Sequence, residues 1–397
     1  DLHSFPTRRS SDLGNLNKLF FILSLVFCLS LSAQDVPENE RNILISFYNQ
    51  TNGNDWADHT NWATNEPVET WHGITVEEIE GKKHITKVHL PANNLTGELA
   101  FGDLPHLKIL HLRKNKLTKV AINNFPKLEI LQIDYNATLT EATFNGLPEL
   151  TELSLNEDRL TQISVHPKEL PKIQELHLRG NHFKTAFFEN LEHLKWLFIN
   201  KCPYLESLSI SNLPALERLY VNQDFKLAGY LDLSSFSKLK AFIAAYTSLS
   251  VVNLKNGNNI NAETYEDAIS IYHDSKNLVK CVAVDNPDAA MKNELPYKNW
   301  KIRWVDLKPN YRADCSDYMA SEEVKTKGSL KISNPVKDTL WIQGVDGLKS
   351  IEIYSSTGQL VKTILGNQGD VSSLPKGVYF LKINTPSESL TAKIIKQ

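Results

Sequence analysis

The chain has 397 residues, 41% of them hydrophobic and 22% charged, enough apolar material for buried cores in more than one domain. Lys and Arg number 43 against 46 Asp and Glu, a net charge of −3, so the overall balance argues for neither nucleic acid nor an anionic membrane as partner. Four cysteines without a Cys-x-x-Cys or a close Cys/His set give no support to a zinc site, and no metal or cofactor is expected.

Residues 1–13, DLHSFPTRRSSDL, match neither a signal n-region nor a domain; they resemble translated adaptor sequence and are set aside. The one long apolar run, Leu19 to Leu31, follows Lys18 and precedes Ser32-Ala33-Gln34, which predicts a signal peptide over 14–33 cut after Ala33. The run falls short of the roughly 20 residues that a membrane helix needs. Phe27 before Cys28 disfavours lipoprotein processing, which wants a small residue there. Export leaves Cys202, Cys281 and Cys315 in a compartment where disulfides persist. Residues 35–84 read as an N-terminal cap: a helix from Glu38 to Tyr48, then Trp56, Trp62 and Trp71, expected to pack over the start of the next segment rather than to bind sugar.

From residue 85 to 250 one pattern dominates, L-x-x-L-x-L-x-x-N-x-L, with its best copy at Leu107, Leu110, Leu112, Asn115 and Leu117. Its eight copies open at Ile85, Leu107, Leu128, Leu150, Ile173, Leu194, Leu216 and Leu239, spaced by 22, 21, 22, 23, 21, 22 and 23 residues. Those intervals are those of leucine-rich repeats, each a short strand that buries its apolar face only when a neighbour stacks on it. The ladder position carries Asn93, Asn115, Asn136 and Asn181, and elsewhere Asp158, Cys202, Asp224 and Thr247, which makes Cys202 a buried structural residue. The expected fold is a leucine-rich-repeat solenoid: a curved parallel β-sheet with an irregular or short-helical convex side, capped at both ends and followed by a small all-β sandwich.

The words NQTNGNDWADHTNW, TWHGITV and ITKVHLPANNLTGEL resemble the cap and first repeat of bacterial leucine-rich-repeat proteins. VVNLKNGNN, KNLVKCVAVDN and WKIRWVDLKPNYRADC resemble the C-terminal cap of the same family, here 251–320, and that resemblance implies a Cys281–Cys315 disulfide. A polar linker, 321–329, leads to alternating strands over 330–397. Asn334, Pro335 and Val336, then Gly358, then Gly377, Val378 and Tyr379, then Lys393, Ile394 and Ile395 resemble the type A C-terminal sorting domain of the type IX secretion system, with Ser333 where that family usually has Pro. The resemblance implies recognition by the secretion machinery at the outer membrane and removal of the domain near the linker. The product is then secreted or held at the cell surface, with membrane association only through lipopolysaccharide.

No nucleophile motif, phosphate loop or EF-hand spacing occurs. The repeat register instead lists the residues of the concave face, since those flanking the inward leucines point outward. Its middle column runs His89, His111, Gln132, Ser154, His177, Phe198, Tyr220 and Ile243. Trp196, Phe198, Arg218 and Tyr220 cluster on repeats six and seven, Ile243 and Tyr246 continue the patch, and His177 and Arg179 adjoin it; these are the candidate ligand-binding residues. His89 and His111 sit side by side without a carboxylate, an incomplete metal site. The expectation is a non-enzymatic recognition or adhesion module for an extracellular protein or glycan. The alternatives are a carbohydrate hydrolase using the neighbouring Glu152 and Glu175, and a structural surface-layer protein.

Overall fold

The computed structural model describes residues 35–258, 268–272, 279–305, 308–315, 318, 331–345, 347–355, 360–385 and 389–397. The signal peptide over 14–33, the first thirteen residues, the linker over 321–329 and Gly358 lie outside them.

In seven of the eight repeats the concave strand is three residues long with its central side chain inward, and the first repeat uses the end of the longer strand Lys82–His89. Leu110, Leu131, Leu153, Leu176, Leu197 and Leu219 are fully buried, as are the residues that open their repeats. The strands stack in parallel, with Lys87 opposite Ile109, Ile109 opposite Ile130, Ile130 opposite Glu152, and Glu152 opposite Glu175. The register continues through Trp196, Arg218 and Ala241. The hairpin strand Ile74–Ile79 closes one end of this sheet by antiparallel pairing with Lys82–His89. At the other end the sheet does not stop with the eighth repeat. Ile269–Ile271 and Lys301–Ile302, within the segment read as a cap, add two further parallel strands and bring the sheet to eleven.

The returning side is extended rather than helical. Thr96–Gly102, Lys116–Asn123 and Glu141–Asn145 form one small parallel sheet, Thr185–Glu189 and Ser207–Ser211 a second, and Ala228–Asp232, Ser248–Asn253, Cys281–Ala283 and Tyr311–Arg312 a third. A strand covers about 3.3 Å per residue and a helix about 1.5 Å, so repeats this short cross the back of the solenoid most economically in extended form. Alternation supports it: Val120 and Ile122 turn in and are buried, while Lys119 and Ala121 turn out.

Between strand and return, each repeat makes the same turn. The residue before the ladder position is left-handed in all eight: Ala92, Lys114, Tyr135, Glu157, Gly180, Lys201, Gln223 and Tyr246 all have φ between 53° and 75°. Only Gly180 adopts this without strain, and a Cβ there would meet the Glu157 carboxylate at 2.7 Å. The ladder amides hold these turns. Asn115 Oδ1 accepts from the backbone N–H groups of Asn93 and Leu95, at 3.0 and 3.1 Å, while its Nδ2 donates to the carbonyls of Leu90 and Leu112, at 2.8 and 2.9 Å. Asn181 repeats the arrangement with Leu160, Leu155 and Leu178.

The N-terminal cap covers the first repeat with the helix Glu38–Gln50 and the three tryptophans, all buried. Every indole N–H finds a carbonyl: Trp56 that of Thr51, Trp62 that of His72 and Trp71 that of Glu66, at 3.0, 2.9 and 3.1 Å. Buried Glu40 ties the helix to the sheet, with 2.6 Å to His84 Nδ1 and 3.0 Å to the Ile85 N–H that it accepts. At the far end Cys281 and Cys315 form the expected disulfide, with Cα atoms 6.0 Å apart, and Cys202 is free and buried.

Residues 331–397 form a separate sandwich of three- and four-stranded sheets around Val336, Leu340, Ile342, Ile351, Ile353, Leu381, Ile383 and Ile394. This core shares no residue with that of the solenoid; the two units meet at Phe187 and Phe380, ring centres 5.6 Å apart.

Candidate functional site

The concave face changes character along its length. Over repeats one to five it is mainly polar, Ile109 and Ile130 apart, and internally bonded. His89 and His111 face each other with Nδ1 atoms 3.0 Å apart, and burial, with added charge repulsion, lowers both pKa values. Asp134, 3% exposed, accepts from the Ser154 hydroxyl and from both nitrogens of Asn156, and Arg113 approaches it at 3.2 Å. Among the described residues no three His, Cys, Asp or Glu side chains are placed to hold a metal ion.

Glu152 and Glu175 are cross-strand neighbours, as the spacing predicts. Each is engaged by the residue beside it: Gln132 Nε2 donates to Glu152 at 2.6 Å, and His177 Nε2 lies 3.2 Å from Glu175.

Repeats six and seven carry aromatic surface. Trp196 and Phe198 flank the buried Leu197, Arg218 and Tyr220 flank Leu219, and strand pairing sets Trp196 against Arg218 and Phe198 against Tyr220. The Arg218 guanidinium lies 5.0 Å from the Trp196 ring centre, and Phe198 packs on Tyr220 at 4.6 Å. His177 meets the edge of Phe198 at 5.1 Å and so belongs to the cluster. Arg179 does not turn toward it; its guanidinium pairs with Glu157 at 3.2 Å, on the turn side. Ile243 continues the row beyond Tyr220, and Tyr246 stands against Tyr272, 5.6 Å away. Trp196, Phe198, Arg218, Tyr220, Ile243 and Tyr246 all remain partly exposed.

Sequence periodicity missed Tyr272, Trp300 and Lys301, which the two additional strands bring to the same face. The intervals leading to them are longer than those of the eight repeats, and no ladder asparagine marks them.

In the C-terminal sandwich the motif words, far apart in sequence, meet. Asn334 Oδ1 accepts the Ile395 N–H at 2.9 Å, Val336 N–H donates to the Ile395 carbonyl at 2.7 Å, and Gln397 N–H returns a bond to Val336 at 2.8 Å. Tyr379, largely buried, donates its hydroxyl to the Pro375 carbonyl at 2.9 Å. The final strand, Ser389–Lys396, is thereby held from two directions, by Gly377–Asn384 and by the Asn334–Val336 segment.

Residues 333–397 match the family model of the secretion system C-terminal sorting domain. The C-terminal sandwich is a sorting domain. Residues 126–183 match the leucine rich repeat model, so the solenoid is a leucine-rich-repeat solenoid. With that tail the protein is a type IX secretion cargo, delivered to the cell surface or the extracellular space. No curated protein matches the chain. Among solved structures the functional domain of InlJ from Listeria monocytogenes, described as including a cysteine ladder, is similar over 79% of this chain and 76% of its own, at 13% identity and a TM-score of 0.20.

Proposed function

We propose that this secreted protein is a recognition module that holds an extracellular protein or glycan on its concave face and catalyses no reaction. The observation that carries the reading is the cluster of Trp196, Phe198, Arg218 and Tyr220: four large side chains on neighbouring strands, all outward, all partly exposed. Trp, Tyr and Arg most often carry interface energy, and aromatic surface left on a secreted protein marks a contact. The hydrolase alternative is less favoured: Glu152 and Glu175 lie partly exposed on the sheet face, and each is already engaged by a neighbour, Gln132 and His177.

The test uses the labelled mature protein and cells of the producing organism that lack the gene. Trp196→Ala is expected to weaken cell-surface binding about thirtyfold, the equivalent of about 2 kcal/mol, with an unchanged melting temperature. Binding equal to wild type would overturn the assignment of this patch. Turnover of a polysaccharide that disappears in Glu175→Gln would overturn the non-enzymatic reading.

A further inference from the structure

The outward row that runs Phe198, Tyr220, Ile243 continues in register to Ser270 and then Lys301. Side-chain size falls and then rises again along it. Ser270, with Ala245 and Ala268 beside it, lowers the floor and leaves a depression of about 870 Å³ at the C-terminal end of the face. That volume lies within the roughly 300–1,000 Å³ of small-ligand sites.

Three kinds of group line the depression. Tyr246 and Tyr272 supply partly exposed rings, and Trp300 also lines the depression, its ring packed on Tyr297 and Tyr311. Asn222, Gln223 and Asn299 supply carboxamides, each carrying a donor and an acceptor in one plane. Lys298 and Lys301 supply two exposed ammonium groups, neither of which has an ion-pair partner among the described residues. None of the described lining residues is acidic.

Rings for the C–H faces of a pyranose, amides for its hydroxyls and amines for a carboxylate are the complement of an acidic sugar. The floor strands Ala241–Ile243 and Ile269–Ile271 have parallel neighbours on both sides, so an extended peptide finds no open sheet edge along them; the sheet's free edge lies at Lys301–Ile302. We propose that this depression is a subsite for a uronic acid residue of an anionic polysaccharide. The proposal rests on the recognition reading above and supplies it with a ligand class. It also places the subsite beyond the Trp196 cluster, so the two are separable by substitution.

The experiment is calorimetric titration of the chain from Gln34 to Gln397 with oligogalacturonate, with its methyl ester and with poly-glutamate, at low and high salt. Oligogalacturonate is expected to bind, more weakly at high salt because exposed lysines are screened. Methyl esterification is expected to reduce affinity at least about tenfold, and Lys298→Ala/Lys301→Ala to do the same. Both lysines are solvent-exposed, so an unchanged melting temperature is expected to accompany the loss. Equal binding of the ester, binding insensitive to the double substitution, or poly-glutamate bound as tightly would each overturn the proposal. If no oligomer binds while Trp196-dependent attachment to cells persists, the subsite is wrong and the recognition reading stands. Loss of both removes the two together.

Discussion

At the ladder, one atom decides how a turn behaves with pH. Asn136 and Asn181 donate two N–H bonds into backbone carbonyls, whereas Asp158 and Asp224 place a second oxygen in that role. Asp158 Oδ1 accepts the Asn136 N–H at 2.7 Å and Asp224 Oδ1 that of Cys202 at 2.6 Å, but neither Oδ2 has a partner. Burial pushes Asp158 up to about 8 and Asp224 up to about 9. The folded state therefore keeps protons that an unfolded aspartate, with its pKa near 3.9, releases. Stability from these groups is full below about pH 4, falls as pH rises, and is gone once pH passes the folded values. Asp158→Asn/Asp224→Asn is expected to flatten this decline and to gain about 1 to 3 kcal/mol in the alkaline range, read from denaturant unfolding at acid, neutral and alkaline pH. Parallel wild-type and variant curves would show that the carboxyls are not protonated in the fold. On the strand itself, Leu197 is the inward counterpart of Trp196 and is fully buried. Leu197→Ala is expected to cost about 2 to 5 kcal/mol of stability, with affinity per folded molecule unchanged.

Among the elements, the final returning strands are fastened covalently. Cys281 lies in the strand Cys281–Ala283 and Cys315 follows the strand Tyr311–Arg312, so the bridge joins the last two, adjacent members of the third return sheet. With a sequence separation of 34 between its ends, its removal is expected to cost about 3 to 4 kcal/mol. Cys281→Ser/Cys315→Ser should melt earlier than wild type and should not respond to reductant, while wild type drops to the same temperature when reduced. Cys202, whose thiol burial pushes well above the ordinary range, should resist thiol reagents until unfolding. The pairing was legible only by resemblance, because three exported cysteines offer no unique partner by composition. Repeat strands were legible for a stronger reason: each inward leucine faces a leucine or isoleucine one repeat away, so the intervals themselves set the register. The same logic gave the Trp196 cluster. It failed for Ile269–Ile271 and Lys301–Ile302, where the inward residues persist but the interval stretches, and with them the residues around Lys301 were lost. The extended back escaped as well, since short alternating stretches such as Leu117 to Asn123 do not by themselves distinguish a strand from an irregular arc.

Across the whole molecule, the core of the sorting domain shares no residue with that of the solenoid, so the tail is a unit by itself. A chain ending before Leu330 is expected to fold as a solenoid and bind as the full chain does, yet to remain in the periplasm; surface delivery of that truncation, measured by protease accessibility on intact cells, would contradict the sorting role. The interrupted regularity of the back carries one more consequence. The arc of repeat four, residues 161–165, forms no strand, and the last two intervals are longer than the rest, yet the face keeps its residue-to-residue alignment past all of them. Past those stretches the alignment is therefore carried by the pairing of the short strands, and the length of the return does not set it. Insertions there are expected to change the outline of the molecule while the strands of the concave face keep their register. Such a chain is free to vary behind while its front stays fixed, and to lengthen its front by whole steps without disturbing those already present.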